Sequence, residues 1–172
     1  MPNIQTTEYK EFIKKIKSKV REDQIRASVK VHVELLKFYW ELGEEIVKKQ
    51  KNSNWGSAFL KNLSQDLMCK FPDVKGFSLS NIQYIQRWVL FYTKSGTACA
   101  TFYKEHLDIL TQIPWGHNRV IISKNKIPTE ALYYATQTLK YGWSRAVLTH
   151  QILTMTKDYK EFAFIGNQKR EL

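Results

Sequence analysis

The stretch WGSAFLKNLSQDLMCKFPDVKGFSLSNIQYIQRW, residues 55–88, decides how this chain is read. Its apolar residues Phe59, Leu60, Leu63 and Leu67 recur at helical spacing and predict a helix over roughly 57–70. FPDVKG then interrupts it, because Pro72 drives its predecessor out of the helical region and Gly76 permits a reversal. Ser78 is placed to cap a second helix running to about Tyr92. On that helix Leu79, Ile82, Ile85 and Val89 share one face, while Ser80, Gln83, Tyr84 and Arg87 share the opposite one. Helix, glycine turn and a second helix with polar groups outward is a common way to offer a helix to a DNA groove. It is equally ordinary core architecture.

Charge favours the first reading. The 172 residues carry 27 Lys and Arg against 16 Asp and Glu, a net charge of +11, which points to an anionic partner, nucleic acid before membrane. The surplus is uneven. Residues 1–50 are nearly balanced, whereas residues 51–104 hold seven bases and only two acids. The acid-poor segment is the one that contains the two-helix pattern. With 43% apolar and 13% aromatic residues the chain is a folded globule, long enough for one cored domain.

The rest of the chain predicts more helix. Tyr9, Phe12, Ile13, Ile16 and Val20 mark a helix over 7–20, with Lys10, Lys14, Lys17 and Lys19 opposite. A longer helix over 22–49 buries Ile25, Val29, Val33, Leu36, Trp40, Ile46 and Val47, and His32 within it reads as a packed or hydrogen-bonded residue. Three aromatic–glycine corners, Trp55–Gly56, Trp115–Gly116 and Gly142–Trp143, read as anchored chain reversals. The stretch TKSGTACAT (93–101) reads as a loop and 103–110 as a short helix. Arg119–Ser123 is the best strand signal, with Lys124 and Lys126 at its exit. A hairpin there, with basic tips, would be a wing. Helices over 128–140 and from Ser144 to about Met155 complete the domain.

No catalytic signature emerges. The chain lacks a phosphate-cradling glycine loop, HExxH and GxSxG, its four histidines are scattered, and Cys69 and Cys99 are too isolated for a disulfide framework or a zinc site. The acid-x-Lys triplets at Glu8–Lys10, Asp73–Lys75 and Asp158–Lys160 are a weak signal, since a chain this rich in lysine yields roughly two by chance. No catalytic residue, metal or cofactor is expected. An N-terminus without an apolar core and the lack of a spanning apolar run lead to the expectation of a cytoplasmic protein of a bacterium-like cell, with no membrane partner.

Taken in order, ELLKFYWELGEEIVKKQ (34–50), WGSAFLKNLSQDL (55–67), FPDVKGFSLSNIQYIQRW (71–88), QIPWGHN (112–118) and YYATQTLKYGWSRAVLTHQI (133–152) resemble the N-terminal domain of YhcG-type proteins, bacterial members of the PD-(D/E)xK nuclease superfamily. The resemblance implies a winged helix-turn-helix module that binds DNA, with the nuclease site in a separate C-terminal domain. It places GFS at Gly76–Ser78, the recognition element on the helix carrying Asn81 and Arg87, and WGHN at Trp115–Asn118. His32 stands where relatives usually show asparagine. FAFIGNQ (162–168) resembles a phrase near the start of the family's nuclease domain, which implies a shortened relative without the catalytic half.

The resulting expectation is a mainly α domain over 7–156, with a winged helix-turn-helix-like core and a short β-hairpin, followed by a tail over 157–172. Duplex DNA is the expected partner. Ser80, Asn81, Gln83, Tyr84 and Arg87 would read it, and Arg119, Lys124 and Lys126 would hold phosphates. The rival expectation is a protein-interaction module that forms a homodimer or docks a nuclease subunit, its positive charge incidental.

Overall fold

A computed structural model describes residues 7–52, 58–93 and 106–154. The chain there is almost wholly helical: α1 (Thr7–Asn52), α2 (Phe59–Lys70), α3 (Leu79–Thr93), α4 (106–112), α5 (Trp115–Lys124), α6 (Pro128–Tyr141) and α7 (145–154). The tail over 157–172, the corner Trp55–Gly56 and most of the 93–101 loop lie outside the described residues.

The first correction concerns α1. The expected helices over 7–20 and 22–49 are one helix of 46 residues. Nothing between Thr7 and Leu42 breaks it, since neither Pro nor Gly occurs there. A local side-chain pair runs across the expected gap, Ser18 Oγ donating to Glu22 at 3.0 Å, and Arg26 meets Asp23 at 2.7 Å just beyond it. Such exposed pairs each add only a few tenths of a kcal/mol, but they agree with the helix. The buried stripe of α1 is also shorter than expected. Leu36, Tyr39, Trp40 and Ile46 are buried, whereas Ile25 and Val29 are exposed.

The C-terminal half of α1 lies along α3, both running the same way: Tyr39 meets Asn81, and Gly43 sits over Ile85 and Val89. Gly43 makes this possible, because a Cβ there would stand 3.1 Å from the Ile85 carbonyl oxygen. Trp40 and Trp88 pack edge to face at 5.0 Å, with Tyr92 beside them. Residues of α4 to α7 and the α4–α5 connection close the core through Leu110, Ile113, Ile121, Ile122, Tyr134, Ala135, Leu148 and Ile152.

The second correction removes the hairpin. Among the described residues there is no strand, and Arg119–Ser123 belongs to helix α5. A short β-branched run cannot be told from a buried helical segment by periodicity alone. Here Asn118, Ile121 and Ile122 enter the core at helical spacing. Asn125 then ends the helix, its backbone N–H and its side-chain Nδ2 both donating to the Ile121 carbonyl at 3.0 and 2.9 Å. Arg119, Lys124 and Lys126 therefore sit on a helix and its exit, and no strand lies beside them among the described residues.

Other local expectations hold. Ser78 accepts from Asn81 N at 3.4 Å and Ser144 from Val147 N at 3.3 Å, each at a helix start. Pro128 opens α6, and Gly142 ends it in the left-handed conformation with φ +62°.

Candidate nucleic-acid interface

The connection over residues 71–78 sets the pose of α3. Gly76 has φ +119°, a conformation that L side chains rarely adopt. Its carbonyl accepts from Asn81 Nδ2 at 2.7 Å, and Asn81 Oδ1 accepts from Trp115 Nε1 at 2.7 Å. Tyr39 joins the same knot. Its phenol is hydrogen-bonded to Asn81, its ring meets Trp115 at 5.4 Å, and burial raises its pKa above the ordinary value against that hydrogen bond. On the other side of the turn, buried Ser64 of α2 donates to the Phe77 carbonyl at 2.7 Å. Asn81 is thus half-buried and spends its amide on the fold, between α3 and the start of α5.

The other α3 residues singled out in the sequence face outward. Ser80, Gln83 and Arg87 are exposed and Tyr84 is half-buried. Helix α5 lies beside them and completes the cluster. The Arg119 guanidinium stands 4.0 Å from the centre of the Tyr84 ring, a cation–π contact. Hydrogen bonds from Arg119 and then from Ser123, together with the positive charge of Arg119, hold the Tyr84 phenol below its ordinary pKa. Arg87 reaches from α3 to the Ile122 carbonyl on α5 at 3.4 Å. Lys124 ends α5, and Lys126 follows it, both exposed. Neither α3 nor α5 contains an Asp or Glu. The two helices therefore form one basic surface with hydroxyl, amide and guanidinium groups and an aromatic ring.

Ser123 is a member that sequence reasoning missed, because its role exists only once the segment is helical. WGHN proves to be a packing device. Asn118 is fully buried and its Nδ2 donates to the Leu110 carbonyl at 2.8 Å, while the His117 ring Nε2 lies 2.8 Å from the Trp143 carbonyl oxygen. The Arg145 side chain covers Gly116. His32 Nε2 lies 3.2 Å from the Ile113 carbonyl oxygen, in keeping with the packed role read for it.

No group of three or more His, Cys, Asp or Glu side chains that could hold a metal occurs among the described residues. No helix among them is long and apolar enough to cross a membrane.

A family model described as the DUF1016 N-terminal domain matches residues 15–159, most of the chain. YhcG-like proteins correspond to this family, so the match bears out the resemblance carried by the five sequence segments. No curated protein and no solved structure gives a match.

Proposed function

We propose that this chain, which belongs to the DUF1016 N-terminal domain family, binds duplex DNA through the surface shared by α3 and α5. One observation carries the reading: the adjoining acid-free faces of α3 and α5, on which Arg119 stacks over Tyr84 and Arg87 bridges the two helices. The helix-turn-helix-like element is α2, the Gly76 turn and α3, and the exposed side of α3 enters the major groove. Gln83 and Ser80 supply base-edge contacts there. Arg87, Arg119, Lys124 and Lys126 supply phosphate contacts, which fix register and give affinity without sequence information. Asn81 acts one step back, by holding the turn from which α3 starts. The chain acts as a binding module, and no residue is assigned to catalysis.

A duplex of mixed sequence, followed by fluorescence anisotropy over a salt series, tests this. Arg119→Ala and Lys124→Ala should each lower the salt slope by about one while leaving the fold intact. Gln83→Ala should cost about 1–2 kcal/mol on a preferred site and little on competitor DNA. Parent-like binding by Gln83→Ala and Arg87→Ala together would remove α3 as the reader. Cleavage of the duplex on adding Mg²⁺ would overturn the assignment of a binding module.

A further inference from the structure

From Thr7 to Val31, α1 runs exposed along its whole length, with only Ile13 half-buried. At about 1.5 Å per residue this arm extends some 37 Å before His32 reaches Ile113. A solvated helix needs no apolar stripe, yet this one has it. Phe12, Ile16 and Val20 are 57%, 41% and 50% exposed. Tyr9, Ile13, Ile16, Val20, Asp23 and Ala27 follow alternating steps of four and three residues, the heptad spacing of a coiled-coil seam.

The residues flanking that seam choose the occupant. With Ile13, Val20 and Ala27 at a and Tyr9, Ile16 and Asp23 at d, the e and g positions hold Lys10, Phe12, Lys17, Lys19, Gln24, Arg26 and Val31. Four of the seven are basic and none is acidic. Glu8, Glu11 and Glu22 fall at c and f, away from the seam. Flanking charges in coiled coils set partner choice, because like charges brought together repel. A second copy would bring lysine against lysine. An apolar helix edged with Glu or Asp would meet a complementary charge at each flank. A narrow seam carrying Asp23 also suits a helix better than a lipid surface, which rewards a broad apolar face.

We infer that the N-terminal arm of α1 is a docking helix for an acidic amphipathic helix of another protein, with which it forms a short heterotypic coiled coil. This is independent of the DNA reading, since it uses neither α3 nor α5.

The probes are two synthetic four-heptad peptides, identical but for Glu or Lys at every e and g position, titrated into the full chain by calorimetry. The glutamate peptide should bind about tenfold or more tightly than the lysine peptide, with the preference shrinking as salt rises. Ile16→Asp should abolish binding with the circular dichroism of the body retained. Lys17→Glu with Lys19→Glu changes only exposed flanks, leaves two basic and two acidic ones, and should remove most of the preference. Equal affinity of the parent for both peptides, or a preference untouched by the double reversal, would overturn the inference. So would a salt-insensitive homodimer in sedimentation, or binding to phosphatidylserine vesicles with no binding to the glutamate peptide.

Discussion

Replacing Gly76 by alanine strikes the turn that aims α3, and its cost divides into two parts that can be measured apart. The first part is conformational, since φ +119° is strained for any residue with a Cβ and costs about 1–2 kcal/mol. The second is crowding: the new Cβ would overlap the Tyr39 hydroxyl, and overpacking of a fixed aromatic costs about 1–3 kcal/mol. Against these stands a gain of about 0.5–1 kcal/mol from a less flexible unfolded chain. The net loss is about 2–3 kcal/mol, or roughly 6–9 °C in melting temperature at about 3 °C per kcal/mol for a domain of this size. Tyr39→Phe separates the parts. With the hydroxyl gone, the nearest atom to the Cβ is the ring Cζ at 3.2 Å, which yields with a few tenths of an ångström of movement. In a double-mutant cycle by urea denaturation, Gly76→Ala should cost at least about 1 kcal/mol less in the Tyr39→Phe background than in the parent. A Gly76→Ala variant within about 0.5 kcal/mol of the parent would refute the strain argument, and additive costs would refute the crowding one.

Other expectations follow from buried polar groups and from Tyr84. Asn118→Ala leaves the buried Leu110 carbonyl without its donor and should cost about 2–3 kcal/mol by urea denaturation, more than a surface Asn→Ala change. Burial raises the Tyr92 pKa well above its unfolded value near 10, so the stability it gives is complete below about pH 10 and declines as pH rises above that. The decline is about 1.4 kcal/mol per pH unit, and Tyr92→Phe should remove this share of it in melts between pH 9 and roughly 11. The Tyr92 hydroxyl has no hydrogen-bond partner among the described residues, so the same variant should be no less stable at neutral pH. For Tyr84, whose pKa is lowered chiefly by the Arg119 hydrogen bond, Arg119→Gln should shift its ultraviolet titration toward higher pH. A titration that stays in place would mean that the Arg119 contact does not exist in solution.

Much of the α2–turn–α3 unit was legible in the sequence because each signal there is local. Pro72 and Gly76 act through their own backbones and Ser78 through a side-chain cap three residues away, and the burial of Ile82, Ile85 and Val89 follows from helical period alone. The failures lie where local signals compete with tertiary packing. RVIIS has strand-like composition, and only the core that receives Ile121 and Ile122 makes it a helix. The apolar stripes of 9–20 and 25–47 are out of phase, and a helix tolerates such a change of face without ending. Asn81 looked like a reader because an amide on a polar helix surface has no sequence mark of its destination. Its partners, Gly76 and Trp115, lie in separate segments. The pairing of Arg119 with Tyr84 spans 35 positions and two helices, so only the fold brings it about.

The unbroken course of α1 has a rotational consequence. Each residue turns a helix by about 100°, so the twenty positions from Ile16 to Leu36 amount to about 200° beyond whole turns. Leu36 faces the body, hence Ile16 faces nearly the opposite way, and anything seated on the arm stands clear of the body. With no Pro or Gly between Thr7 and Gly43, one alanine inserted between Ala27 and His32 would swing the whole seam by about 100° as a rigid shaft. The phase between the two ends of α1 is thus fixed by residue count, as firmly as the teeth on a key are fixed relative to its bow.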